Sequence, residues 1–315
     1  MEQNLLFSMM WTLNLQREEM SVMNSFFAYL ISGISLGSIY ALIALGYTMV
    51  YGIAKMLNFA HGDVIMIGGF TVFTAVSSFT CPPWLAVLIS IVTCTVLGIV
   101  IEKVAYKPLR EASSLSVLIT AIGVSYLLQN IALLLFGTGA KTFRSVVNVP
   151  ALKINEDLSI SGETMVTIVV TVIIMVSLQL FIKKTRPGRA MQAVSEDQGA
   201  AQLMGVNVNG TISLTFAIGS GLAAIAGVLM CSTYPQISAY TGQMPGIKAF
   251  IAAVFGGIGS IPGAMIGGVL LGVLESLSKG YISTQLSDAI VFTILIIMLV
   301  LKPTGILGKK MHEKV

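Results

Sequence analysis

The chain has 315 residues, 55% of them hydrophobic and only 10% charged, with a formal net charge of +4 and a mean hydropathy of +0.89. A water-soluble domain carries about 25% charged residues, because its folded surface has to stay wet. So sparse a set on 33.4 kDa excludes a soluble globule, and lipid must solvate most of the surface.

In chain order, the apolar stretch 5–13 is short, lacks a basic leader and runs into Arg17, Glu18 and Glu19. A cleavable signal would begin with positive charge, so residues 1–23 are expected to be an uncleaved tail lying on the membrane surface. Residues 24–54, 164–182 and 211–234 contain no charged side chain, and each meets the ~20 residues a helix needs to cross a bilayer. Further candidate spans are 64–80, 84–101, 114–136, 246–274 and 285–301. The runs are continuous and do not alternate at period two, which favours helices over a barrel. Run 246–274 carries Gly256, Gly257, Gly259, Pro262 and Gly263, the strongest breaker cluster in any of them. An all-α fold is expected: a polytopic transmembrane helical bundle of about 8–10 membrane elements. It includes one broken or re-entrant segment, with the break at 260–263. The membrane domain spans 24–302, followed by a tail, 303–315.

Basic residues set the orientation. Lys103, Lys107 and Arg110 lie in one link, Lys183, Lys184, Arg186 and Arg189 in another, and Lys302, Lys309, Lys310 and Lys314 in the tail, together eleven of the eighteen Lys and Arg. These segments, the C-terminus included, are expected in the cytoplasm. The link 137–163 mixes both signs and fits the outside.

Two segments carry chemistry. In Leu57-Asn58-Phe59-Ala60-His61-Gly62-Asp63, the sharper reading makes His61 and Asp63 an ion or proton site. The plainer and favoured one makes Asn58, His61 and Asp63 hydrogen-bonding caps on a helix start near the interface. In the link 183–210, residues 190–204 read as one short amphipathic helix, with Met191, Val194, Ala201 and Met204 on a single face and Ser195 as a cap. An ordered helix there exceeds what topology requires and suits docking of a cytoplasmic partner. Glycines at four-residue spacing, among them Gly33, Gly37, Gly268 and Gly272, point to close helix packing. Gln129, Asn130 and Glu275 are the few polar residues within or at the end of spans, and no series of acids suited to a proton-coupled pump is present. Cys81, Cys94 and Cys231 show no metal-ligand spacing. Residues 137–142 and 219–224 imitate a phosphate loop and a dinucleotide fingerprint, but in the wrong contexts. Without a nucleotide site, any driving energy must come from a partner or a gradient.

The run 37–52 leading into 57–63, the glycine-rich 255–264 and the terminal Lys302-Pro303-Thr304-Gly305-Ile306-Leu307-Gly308 resemble permease subunits of branched-chain amino acid ABC importers, the LivH type. Residues 200–205 are similar to the Glu-Ala-Ala-x-x-x-Gly coupling loop of such permeases, with Gly199 in place of the acid and acids displaced to Glu196 and Asp197. The resemblance runs from about residue 30 to the C-terminus. It implies a bacterial inner-membrane permease, not itself an enzyme and without a cofactor, working with a second similar permease, two cytoplasmic ATPase subunits and a periplasmic solute-binding protein. Arg189, Ala190, Glu196, Asp197, Ala200, Ala201 and Gly205 would form the ATPase coupling surface. Asn58, His61, Asp63, Gln129, Asn130, Gly256, Gly257, Gly259 and Pro262 are candidates for the translocation path. Nucleic acid is not an expected partner. Urea or short-chain amides as cargo, or a gradient-driven carrier or channel, are the alternatives.

Overall fold

The computed structural model describes residues 2–153, 159–302 and 304–308, with side chains from residue 23 onward. The expected tails, 1–23 and 303–315, fall for the most part outside the described side chains. Among the described residues eleven α-helices follow one another: α1 (Glu2–Ala54), α2 (His61–Ser77), α3 (Pro83–Ile101), α4 (Ser114–Phe136), α5 (Gly162–Lys184), α6 (Arg186–Glu196), α7 (Gln198–Leu203), α8 (Val208–Thr233), α9 (Gln243–Gly256), α10 (Ile261–Tyr281) and α11 (Ser287–Leu301). Helix α3 runs on through a π turn, Glu102–Tyr106, and a 3-10 turn, Lys107–Leu109. Local chemistry marks the ends: Ser113 and Ser161 each accept a first-turn N–H at 3.2 Å. Gly137, at φ +80°, ends α4 in a conformation that L side chains resist.

Among the described residues, six helices are long and apolar enough to cross a bilayer, while α2 and α11 are shorter apolar helices. Helix α8 is the axle: 83% of its most apolar window is buried, against 28% in α3, α4 and α5, whose outer faces are left for lipid. Around it the core gathers Ile39, Leu42, Ile43, Ile65, Phe216 and Leu271. Helices α1 and α10 approach through glycine, since a methyl group at Gly37 would lie 2.7 Å from Val269 Cα and one at Gly33 would lie 2.8 Å from Val273 Cα. Only small residues allow such an approach, and in lipid it is close packing that holds helices together.

The break in run 246–274 is present, at 257–260. Gly257 and Gly259 take φ +106° and +89°, and Ser260 caps the next helix by accepting the Gly263 N–H at 3.2 Å. Pro262 and Gly263, expected within the break, lie in the first turn of α10, where a proline costs nothing because its missing N–H has no helical partner.

The three basic segments converge on one end of the bundle. Arg110 binds Asn209, Gln198 reaches the Ile53 carbonyl at 3.4 Å, Gly52 meets Gly259, and the tail hydrogen-bonds Phe255 and Gly256 through the Ile306 and Leu307 N–H groups at 2.9 and 3.0 Å. At the opposite end, Lys141–Thr142 pairs with Gln236–Ile237 in a two-residue ladder. There Phe70 and Phe136 stack with ring centres 4.1 Å apart.

Candidate functional site

Helix α2 does not start at the basic end of the bundle. The loop 55–60 turns back inward, so that His61 lies level with Gly46 and Tyr47 of α1, about 12 Å along the axis from the end of that helix. The His61 ring sits edge-on to Tyr47 at 4.7 Å, and a methyl group on Gly46 would collide with the imidazole. The first turn of α9 arrives at the same depth: a methyl group on Gly62 would lie 2.7 Å from the Gly242 carbonyl oxygen, and one on Gly246 would lie 2.9 Å from Gly62 Cα. Two short helices thus begin against each other inside the protein, backbone to backbone. Broken backbone is tolerated at such depth only where protein or a cavity surrounds it.

Asn58, His61 and Asp63 are buried, and they do not cap α2, whose cap residue is Ala60, with no side-chain hydrogen bond. That expectation is corrected, because each side chain has found a distant environment. Asn58 accepts from the Tyr106 hydroxyl at 2.9 Å, Asp63 accepts from Gln129 Nε2 at 2.9 Å, and His61 packs on Tyr47. Asn130, one residue beyond Gln129, is exposed and donates to its own helix at Tyr126, so the structure leaves it apart from this cluster. Beside the cluster, α1, α9 and the loop bound a narrow crevice of about 10 Å³, lined by Tyr47, Tyr51, Asn58, Phe250, Ala253 and Ile258. Phe250 holds its shape by meeting both Tyr47 and Phe59. The lining is aromatic and aliphatic, with one amide and two tyrosines. Gly256, the last residue of α9, and Gly257 in the break are buried, while Gly259 is exposed beside the cleft residue Ile258.

The basic-end link holds two helices where one was expected. Asp197 leaves helical geometry and accepts the Ala200 N–H at 2.9 Å, ending α6 and capping α7. Ser195, read as the cap, instead donates to the Gln192 carbonyl. The break rotates α7, so Met191, Val194 and Ala201 are buried but Met204 is not: Leu203 and Met204 are 90% and 84% exposed. Arg189, Glu196, Asp197, Ala200 and Gly205 are exposed and Ala190 is half-buried, with Gly205 at φ +83°.

Two polar clusters escaped the sequence reading. Lys248, a lone cation in an apolar run, is buried between Glu275 (2.8 Å) and Asp288 (2.7 Å), and Glu275 also binds Lys279 (2.6 Å) and the Tyr40 hydroxyl (2.9 Å). The signal was available, since a lysine inside a span must find a counter-ion. Glu102, fully buried at the basic end, takes Arg110 and the Ser213 hydroxyl (2.6 Å).

The sequence model of a known family, the permease component of branched-chain amino acid transport systems, matches residues 29–299. The chain belongs to this family. Permease LivH of Salmonella typhimurium, described as a high-affinity branched-chain amino acid transport system permease protein, is 46% identical over 92% of this chain and 98% of its own length. Its Escherichia coli K12 counterpart shows the same identity and coverage. BraD of Pseudomonas aeruginosa, described in the same terms, is 44% identical over 91% and 97%. As a family member this chain is a multi-pass membrane permease.

Proposed function

We propose that this chain is the membrane-spanning subunit of an ATP-driven importer for leucine, isoleucine and valine. It would form the path with a second similar permease, receive cargo from a periplasmic binding protein and be driven by two cytoplasmic ATPase subunits. The basic end, with the link and the C-terminus, then faces the cytoplasm of a bacterial inner membrane. The observation that carries the reading is the likeness to permeases of that transport system over nearly the whole of both chains. Two features support it. The crevice beside the inner start of α2 has mainly aromatic and aliphatic walls, so a path that widened there would offer an apolar lining. The α6–α7 link rests on buried Met191, Val194 and Ala201 and presents Leu203 and Met204 outward, an anchored apolar tip of the kind that fills a partner's pocket.

The test is reconstitution in vesicles with the companion permease, the ATPases and the binding protein, following labelled leucine. Uptake should require ATP and every companion. Accumulation by this chain alone overturns the proposal. Gly205→Arg should abolish uptake while the protein still inserts, because the side chain would stand in the docking surface. Gly205→Asn should retain most of it, since asparagine tolerates the left-handed backbone that Gly205 adopts.

A further inference from the structure

The π turn that ends α3 stands between the link and the loop that leads to α2. The Lys107 N–H donates to the Glu102 carbonyl five residues back, widening the helix by one residue at this point. The side chains at the two ends of the turn then serve two different elements. Glu102 takes the Ser213 hydroxyl of α8, and its partner Arg110 also binds Asn209 at the start of α8. The Tyr106 ring packs on Phe216 of α8, with centres 5.2 Å apart, while its hydroxyl donates to Asn58 at 2.9 Å and reaches the Leu57 carbonyl at 3.4 Å. Asn209, Ser213 and Phe216 recur at spacings of four and three, so one stripe along the first turns of α8 faces the π turn. The same α8 is capped by Asn207, four residues beyond the end of α7.

We propose that Glu102 and Tyr106 are positioning residues that carry displacement of the α6–α7 link, through the first turns of α8, to the loop 55–60 and the inner start of α2. The inference rests on the importer reading above and names the route by which a docked ATPase moves the cleft. The contacts form an unbroken physical chain: the link, the Asn207 cap, the 209–213–216 stripe, the π turn, then Asn58. Asn58 lines the cleft, so a shift of this loop changes its wall directly. Glu102 cannot slip to another partner, because it is fully buried and a buried carboxylate without partners is expensive.

Tyr106→Phe is the informative variant, since it keeps the ring against Phe216 and deletes only the hydroxyl that reaches the loop. In the reconstituted complex, solute imported per ATP hydrolysed should fall by roughly fivefold, the size of a typical loss of site-to-site coupling. ATP hydrolysis and the melting temperature should stay near those of the unaltered complex. Asn58→Leu should reduce the ratio to a similar extent, and the double variant should lose no more than either single one, as expected when two residues share one interaction. An unchanged ratio in Tyr106→Phe overturns the inference, as does a loss that merely follows reduced abundance or melting temperature. Multiplicative losses in the double variant overturn it too. Absence of ATP-driven uptake by the unaltered complex overturns the importer reading, and this inference with it.

Discussion

Lys248 shows how a single charge is tolerated inside an apolar segment. Its ammonium bridges Glu275 and Asp288, and Glu275 is held in turn by Lys279 and the Tyr40 hydroxyl, so two cations and two carboxylates balance. The four are not equivalent. Glu275 is 1% exposed and contacts both lysines, whereas the Asp288 side chain is 41% exposed. Glu275→Gln leaves Lys279 facing a neutral amide and Lys248 with Asp288 alone, and should cost about 3–5 kcal/mol. Lys248→Met leaves Glu275 with two partners and should cost about 2 kcal/mol. Asp288→Asn, close to water, should cost under about 1 kcal/mol. Thermal melts of the three purified variants check the order, and equal losses would show that burial and number of partners do not set these costs.

Among the elements, the pairing of α1 with α10 depends on a few hydrogen atoms in place of methyl groups. The glycines of α10 lie against the backbone of α1, and a methyl group at Gly272 would run into Gly37 N and Cα. Gly272→Val should therefore push the two helices apart and lower the yield of folded protein sharply, whereas Leu270→Val, at a more exposed position of the same helix, should be neutral. Size-exclusion profiles of the two variants in detergent make the comparison. The spans and the break were legible in the sequence because run length, absence of charge and glycine with proline are local signals. The start of α2 was not, since hydropathy counts apolar residues and carries no measure of depth. Nor were the partners of Asp63 and Asn58, which lie 66 and 48 residues away. The division of the link at Asp197 was missed for a different reason. Residues 190–204 keep helical periodicity across the break, and only the cap formed by Asp197 on Ala200 reveals the change of direction.

For the molecule as a whole, the asymmetry of charge becomes a property of shape. Segments far apart in sequence meet at one end because Arg110, Gln198 and the tail each hold a neighbour there. A cysteine at Leu203 and one at Val149, both exposed and at opposite ends, separate the two faces experimentally. Cys81 is partly exposed and should first be changed to Ser, whereas Cys94 and Cys231 are buried. With an impermeant maleimide, Val149→Cys should label in intact cells and Leu203→Cys only after permeabilisation. The reverse pattern would invert the orientation.

The bridge from Lys248 also sets a timetable. Its two acceptors stand 27 and 40 residues further along the chain, so neither has emerged when this lysine leaves the ribosome. At translation speeds of 5–20 residues per second, the wait for the second of them lasts ~2–8 s. Through that interval the nascent α9 has neither the length to insert unaided nor the counter-charges to settle. Biogenesis must therefore hold it at the translocon or the lipid headgroups until α10 and α11 emerge, and truncation before residue 288 should leave a chain that quality-control proteases recognise.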